Sequence, residues 1–342
     1  MKKNLSLFII IATLMAMLSG CVRETADENI PKIGEADRLV VFTSHKPEVY
    51  EPIIREFEKT TSIWVEVVSG GTNELLERLR ESGSYEADVM FGGGVESLGA
   101  FADCFESYES SEAGALESEY ASKEGMYTVF SSLPIVIVYN DKLVYRPSAP
   151  AGFADLLDER WKGKIAFADP GNSGTSYTAL ASIMQVLEGD RYENLRLFSE
   201  AVQTTVGGSG DVISAVNSGT KLVGITLEEY ALKNKASGLD IGIVYPEEGT
   251  SAIPDGVALI KGARNPGNAK KFIDYVVSRN VQQYIADNFY RRSVRSDVKS
   301  ATGQGLVAVG ELPETIDVMN YDLGWASAHQ GEILKKWKDL MD

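Results

Sequence analysis

"LVVFTSHKPEVYEPIIREFEKTTSIWVEVVSGGTNELLERLRESGSYEADVMFGGG", residues 39–94, changes its hydrophobic period four times. Leu39–Ser44 is a short apolar run of the kind that forms a buried strand. Tyr50, Ile53, Ile54 and Phe57 then recur at i, i+3, i+4 and i+7, which is one face of an amphipathic helix. "IWVEVV" (63–68) returns to strand, Leu75, Leu76 and Leu79 mark a second helix, and "DVMFGGG" (88–94) is a third strand with a glycine exit. Strand, helix, strand, helix, strand predicts a parallel sheet with helices on both faces.

"LPIVIVYN" (133–140) is a fourth strand, long enough to leave the first lobe and enter another. A second α/β series follows: strands at "KIAFADP" (164–170), "TTVGG" (204–208), "LVGIT" (222–226) and "IGIVYP" (241–246), with a helix carrying Tyr177, Leu180, Ala181 and Met184 on one face and helices near 190–202, 211–218 and 227–236. "DGVALIKG" (255–262) is again a buried strand, leading to helices near 266–278 and 280–289. If it pairs back into the first sheet, the chain crosses between lobes twice, near Tyr139 and near Ile253, which makes a hinge rather than a tether. The expected division is lobe 1 from 38–138 and 254–290 and lobe 2 from 139–253. Residues 291–342, ending in a helix with Trp325, Ile333, Leu334 and Trp337, are not assigned to a lobe by pattern. A length of 342 residues agrees with two lobes, because single cores stop growing at roughly 250–300 residues.

The N-terminus differs in kind. "MKKNLSLFIIIATLMAMLSGC" carries two lysines, then an apolar run from Leu5 to Leu18, short of the roughly twenty residues that a membrane span needs. It reads as an export signal over residues 1–20. Its end, Leu18-Ser19-Gly20-Cys21, resembles a bacterial lipobox, which implies lipid on Cys21. Residues 21–37 are then an acidic tether. The only other cysteine, Cys104, is left without a partner, so no disulfide is expected. The formal net charge of −16 argues against nucleic acid or anionic lipid as a long-range partner, and it means that any anion site must be built locally.

In open α/β sheets ligands bind beyond the carboxyl ends of the strands, where helix N-termini present unpaired amides. Five strand-to-helix turns qualify. Ser44 and His45 end the first strand, and Ser69-Gly70-Gly71-Thr72 ends the second, with Thr72 suited to cap a helix. Gly92-Gly93-Gly94 ends the third, where bare backbone lets another group pack close. Asn172, Ser173, Gly174, Thr175 and Ser176 form a hydroxyl-rich cradle ahead of a helix. Ser209, Gly210 and Asp211 open another. Asp211, and Glu228 after "LVGIT", either cap their own helices or accept from the hydroxyls or ammonium of a solute. A phosphate-binding GxxxxGK[ST] loop, a GxGxxG turn, HExxH, GxSxG and CxxC are all absent from the sequence, and two histidines leave little general acid–base material.

"VFTSHKPEVYEPIIREFEKTT", "VVSGGTNELLERL", "DVMFGGGVESL", "GKIAFADPGNSGTSYTAL" and "DGVALIKGARNPGNAKKFIDYVVS", in this order, resemble the substrate-binding lipoproteins of ABC importers, in the group that includes ferric-iron, phosphonate and hexose-phosphate binding proteins. The resemblance implies a type II periplasmic-binding fold. Two lobes would close on a solute and offer it to a membrane permease and its ATPase, without chemistry, cofactor or resident metal, as a lipid-anchored monomer. It places Ser44, His45, Gly70–Thr72, Gly92, Gly93, Asn172–Ser176 and Ser209–Asp211 at the ligand. Ferric members typically offer two neighbouring tyrosines, whereas this chain has no Tyr-Tyr pair among its fifteen tyrosines. The expectation is therefore an organophosphorus anion, a sugar phosphate or an aminoalkylphosphonate, with ferric iron as the alternative. Arg291, Arg292 and Arg295 in "YRRSVR" either add positive charge to the site or, as is more common for a basic cluster after a helix, are solvated.

Overall fold

The computed structural model describes residues 34–82, 86–116, 121–298 and 316–342. Cys21, the leader and most of the tether lie outside them. β1 (Arg38–Thr43) runs into α1 (Pro47–Thr61), which starts on Pro47, where the missing N–H has no intrahelical partner to lose. α1 buries Val49, Ile53, Ile54 and Phe57 and stops at Ser62, in the left-handed region at φ 60°. β2 (Trp64–Ser69), α2 (Thr72–Ser82), β3 (Val89–Gly94) and α3 (Val95–Ala100) follow. α2 buries Leu75, Leu76 and Leu79, the face its spacing predicts. The strands pair in parallel, with Val41 opposite both Val67 and Val89.

After β4 (Phe105–Glu106) and β5 (Thr128–Ser132) the chain changes sheet. The second series comprises β6 (Ile135–Asn140), β7 (Ile165–Ala166), α4 (Gly174–Val186), α5 (Arg191–Val202), α6 (Ser209–Asn217), β8 (Val223–Leu227), α7 (Glu228–Ala236) and β9 (Ile241–Val244). The chain then returns through β10 (Pro254–Ile260), α8 (Pro266–Val276), α9 (Arg279–Phe289) and β11 (Arg292–Ser293), and ends in α10 (Leu323–Met341). The strand order is β11-β5-β10-β3-β1-β2 in the first sheet, with β4 also on β10, and β7-β8-β6-β9 in the second. All these strands and helices lie within Ala36–Asp342, one compact unit.

Three sequence expectations change. The first sheet is mixed rather than parallel, because β10 runs antiparallel to both β3 and β5. The passage between sheets lies between Ser132 and Ile135 rather than near Tyr139, which sits inside β6 opposite Val223 and Gly242. Pro134, without an N–H to give a ladder, marks the break, and its carbonyl accepts from Glu228 N at 2.9 Å. "TTVGG" forms a single bridge, Ala168 to Val206, instead of a strand.

Strand alternation puts successive residues into cores on opposite sheet faces. Val41 and Phe91 pack with Phe57 on one face of the first sheet, and Phe42 and Met90 with Leu76 on the other. In the second sheet Ile135 and Ile137 face one way, Val136 and Val138 the other. The C-terminal helix completes the second core: Trp337, 2% exposed, lies 5.5 Å from the Phe167 ring and 6.1 Å from that of Phe198. Tyr177 Oη donates to the α10 carbonyl of Ala326 at 2.5 Å. The same helix reaches the first half, where Gln330 Nε2 donates to Ser97 Oγ of α3 at 2.9 Å.

Candidate functional site

The carboxyl ends of β1, β2 and β3 face the N-termini of α4 and α6 across a cavity of about 250 Å³. Ser44, His45, Gly70, Gly71, Thr72, Gly93, Asn172, Ser173, Gly174, Thr175 and Ser209 line it. Gly92, Ser176, Gly210, Asp211 and Glu228 do not.

Glycine here allows close approach rather than supplying free amides. Gly70 N already donates to Thr43 O at 3.1 Å, and Gly71 N to Glu74 Oε2 at 3.3 Å. A Cβ on Gly71 would stand 2.7 Å from Asn172 O, and one on Gly174 would stand 3.0 Å from Thr72 Oγ1, so both residues are bare where the two halves meet. Gly92 and Gly93 do need positive φ, 108° and 92°. Gly92, behind the wall, leaves room for Ser44 Oγ, which a Cβ there would meet at 2.7 Å.

Ser173 caps α4 by accepting from Ser176 N at 3.2 Å, and Ser176 is buried within the helix start, off the cavity wall. Ser173 Oγ lies 2.8 Å from Ser209 Oγ, so the starts of α4 and α6 bring two hydroxyls together at the cavity. His45 donates its backbone N–H to Thr43 Oγ1 at 3.2 Å and packs its ring edge-on to Phe91, with centroids 4.5 Å apart. Burial, with the Arg291 charge nearby, holds its pKa well below the usual imidazole range, so the ring is neutral at pH 7. Its Nε2 makes no hydrogen bond and lies 3.5 Å from Asp255 Oδ2.

The two carboxylates expected to reach a solute do not reach the cavity. Asp211 is exposed and folds back over its own helix start, where a Cβ on Gly207 would meet its Oδ2 at 2.8 Å. Glu228 is buried and accepts from Arg292 Nε and Nη2, each at 2.8 Å, and from Tyr245 Oη at 2.5 Å. The arginine cluster is likewise not solvated. Arg291, 5% exposed, lines the cavity and donates to Asp255 Oδ2 at 2.8 Å, Ser131 Oγ at 3.0 Å and Glu229 Oε1 at 2.9 Å. Arg295 pairs with Asp297 and Glu112. Burial raises the carboxyl pKa values of Asp255 and Glu229, partly offset by Arg291, whose own pKa their charges raise.

Lys46, Thr178, Tyr230 and Asp255 also line the cavity and were not singled out from sequence; Arg291, named there only as part of a basic cluster, lines it as well. Asp255 is the second residue of β10, and an acidic residue at the start of an apolar strand was a usable cue. Nothing in the local pattern marks Tyr230 or Thr178. The assembly offers hydroxyls, one neutral imidazole and a compensated guanidinium, which suits holding a small polar solute.

The chain is 26% identical to iron uptake protein A1 of Synechocystis sp. over 343 residues, covering 94% of this chain and 93% of that protein. It is 26% identical over 258 residues to a Salmonella paratyphi A protein named as a 2-aminoethylphosphonate-binding periplasmic protein, covering 73% and 75%. Its fold matches the periplasmic binding protein AfuA from Actinobacillus pleuropneumoniae, solved with exogenous fructose-6-phosphate bound, at a TM-score of 0.78 and 22% identity, covering 89% of this chain and 98% of that one. The architecture is thus that of the type II periplasmic binding proteins. Residues 87–303 match the family model of the bacterial extracellular solute-binding proteins, and the chain belongs to that family: an extracytoplasmic solute-binding protein of the kind that serves ABC importers, not an enzyme.

Proposed function

We propose that the chain is the receptor of an ABC importer that captures an organophosphorus anion, a sugar phosphate or an aminoalkylphosphonate, between two lobes that close about the crossings at 133–134 and 245–253. The observation that carries this reading is the convergence of hydroxyls on helix first turns from both halves: Thr72 of α2, set against Gly174, and Ser173 and Ser209 within 2.8 Å of each other. Each helix N-terminus contributes roughly 0.3–2 kcal/mol toward an anion, and micromolar affinity needs about 8 kcal/mol. Three such ends with charge-assisted hydrogen bonds from the hydroxyls are of the right order. Lys46 adds positive charge at the wall, and the polar tail of the solute meets Asp255 in place of Asp211 or Glu228. Cys21 carries the lipid, the acidic segment tethers the receptor, and it presents its solute as a monomer to permease and ATPase. The relative named for 2-aminoethylphosphonate and the fold neighbour holding fructose-6-phosphate support this solute class.

Ferric iron is the second reading, because His45, Asp255 and Tyr230 share the cavity and one relative is named for iron uptake. Hard Fe(III) favours oxygen ligands of the Asp and Tyr type. A thermal-shift screen against phosphonates, sugar phosphates and ferric citrate separates the two. Ligand at 100 times Kd stabilises by about 2.7 kcal/mol. The expected result is a shift with a phosphorus compound and no visible charge-transfer band with ferric citrate; the converse rejects the phosphorus reading.

A further inference from the structure

Glu96 stands in the first turn of α3, directly after the glycine exit of β3, and is fully buried. Its hydrogen-bond partner is Thr178 Oγ1 of α4, so the contact joins the first sheet's half to the second's. Its other oxygen, Oε2, is buried and unbonded, and a Cβ on the cavity residue Gly94 would meet it at 2.6 Å. The carboxyl therefore sits one layer beneath the cavity wall, to which Thr178 and Gly94 both belong.

Thr178 has one hydroxyl proton and two acceptors within reach, Glu96 Oε1 and Gly174 O, the latter at 3.1 Å. Shared between two acceptors, that proton compensates an ionised Glu96 only in part. No cation among the described residues compensates Glu96: the titratable groups that face it are the phenols Tyr177 of α4 and Tyr127 ahead of β5. Of the other elements packed against α3, β10 carries Asp255, already engaged by Arg291 and Ser131. β3 carries no charged residue, and α10 offers the uncharged Gln330 to Ser97. An ionised carboxylate in such a place is costly, because burial disfavours its charged form.

We propose that Glu96 is a proton-operated latch on the cavity: closing the two halves traps a protonated Glu96 against Thr178, so mild acid favours capture and alkali favours release. The inference rests on the reading that the halves close over a solute. Burial pushes the Glu96 carboxyl up to about 7, against opposing hydrogen bonds from Thr178 and its own backbone. With α4 withdrawn the carboxyl meets water and returns to the ordinary range near 4.3. The closed state thus keeps a proton that the open state loses. Its advantage is full below the ordinary carboxylate range and is lost as pH rises through about 7. Between pH 6 and pH 8 the closure constant falls about tenfold.

The test follows the radius of gyration of ligand-free Ala36–Asp342, which contains every strand and helix described, by small-angle X-ray scattering from pH 5.5 to 8.5. The wild type should expand as pH rises through neutrality. Glu96→Gln should show no such dependence, and Thr178→Val should move the transition to higher pH, because it removes a bond that favours the ionised form. A constant wild-type radius, or a Glu96→Gln profile like the wild type's, overturns the latch; thermal unfolding establishes that the variants are folded, and Thr178→Val decides if Gln is not accommodated. Calorimetry with 2-aminoethylphosphonate and fructose 6-phosphate then separates the two claims. Whichever binds should bind the wild type about tenfold more tightly at pH 6 than at pH 8 relative to Glu96→Gln, and equal pH dependence in both proteins counts against the latch. Failure of both probes to bind rejects the phosphorus reading, while the scattering profile still decides the latch.

Discussion

Replacing Arg291 by Met should destabilise the protein by about 3–5 kcal/mol at pH 8, the usual cost of leaving buried charges without their partner. The guanidinium is held between Asp255 of β10 and Glu229 of α7, with Ser131 completing its coordination. All three ionic groups are buried, at 5%, 1% and 6% exposure, so water cannot replace the lost charge. The pH dependence has a definite sign. Burial already raises both carboxyl pKa values, and without Arg291 they rise further, so the folded variant binds protons that the unfolded chain releases. Stability of the variant then falls as pH rises from the ordinary carboxylate range, and its deficit at pH 5 should be smaller than at pH 8. Urea unfolding at the two pH values measures this. Adding Asp255→Asn and Glu229→Gln to the Met variant should recover part of the loss at pH 8. A deficit under about 1 kcal/mol at pH 8, or a larger one at pH 5, would refute the assignment of Arg291 as the buried counter-ion.

Gly71→Ala should lower solute affinity at least tenfold while unfolding stability stays within about 1 kcal/mol, because its Cβ would stand 2.7 Å from Asn172 O only when the halves are together; equal loss of stability and affinity would locate the effect in the fold instead. Trp337→Ala should cost about 3–5 kcal/mol in urea unfolding, since the ring fills the core beside Phe167 and Phe198, and a loss under about 1 kcal/mol would show the C-terminal helix to be dispensable.

The sheets were legible where the period was clean. Ile53, Ile54 and Phe57 in α1 and the three leucines of α2 face the cores that their spacing assigns, and the apolar run of β10 is buried along its whole length. The passage between sheets was misplaced because Leu133 and Pro134 continue the apolar run of β6, and hydrophobicity does not reveal which sheet a residue hydrogen-bonds to. β4 and β11 are each two residues long and leave no periodic trace. At the site, small-residue turns located most of the cavity wall, since glycine and hydroxyl residues have few other reasons to cluster at strand ends. Charge pairing was not legible. Arg291 meets partners 36 and 62 residues away, and Arg295 meets Glu112 across 183, so a basic cluster that looks solvated in sequence is buried by contacts only the tertiary fold creates. Asp211 and Glu228 show the same limit: an acidic residue in a helix's first turn can serve the helix, an arginine or a ligand, and the sequence is the same in each case.

The most direct test of the receptor reading is isothermal titration of the wild type and of the double variant Thr72→Ala, Ser173→Ala with 2-aminoethylphosphonate and fructose 6-phosphate. Removing one hydroxyl from each half should weaken binding of the preferred compound at least tenfold, since each hydrogen bond to a charged group is worth about 1.5–3 kcal/mol. The fold should survive, with about 1 kcal/mol lost through the Ser173 cap. Micromolar or tighter binding by the wild type that collapses in the folded double variant is the predicted result; unchanged affinity in the variant, or no heat with either compound beside retention of ferric iron, would contradict it.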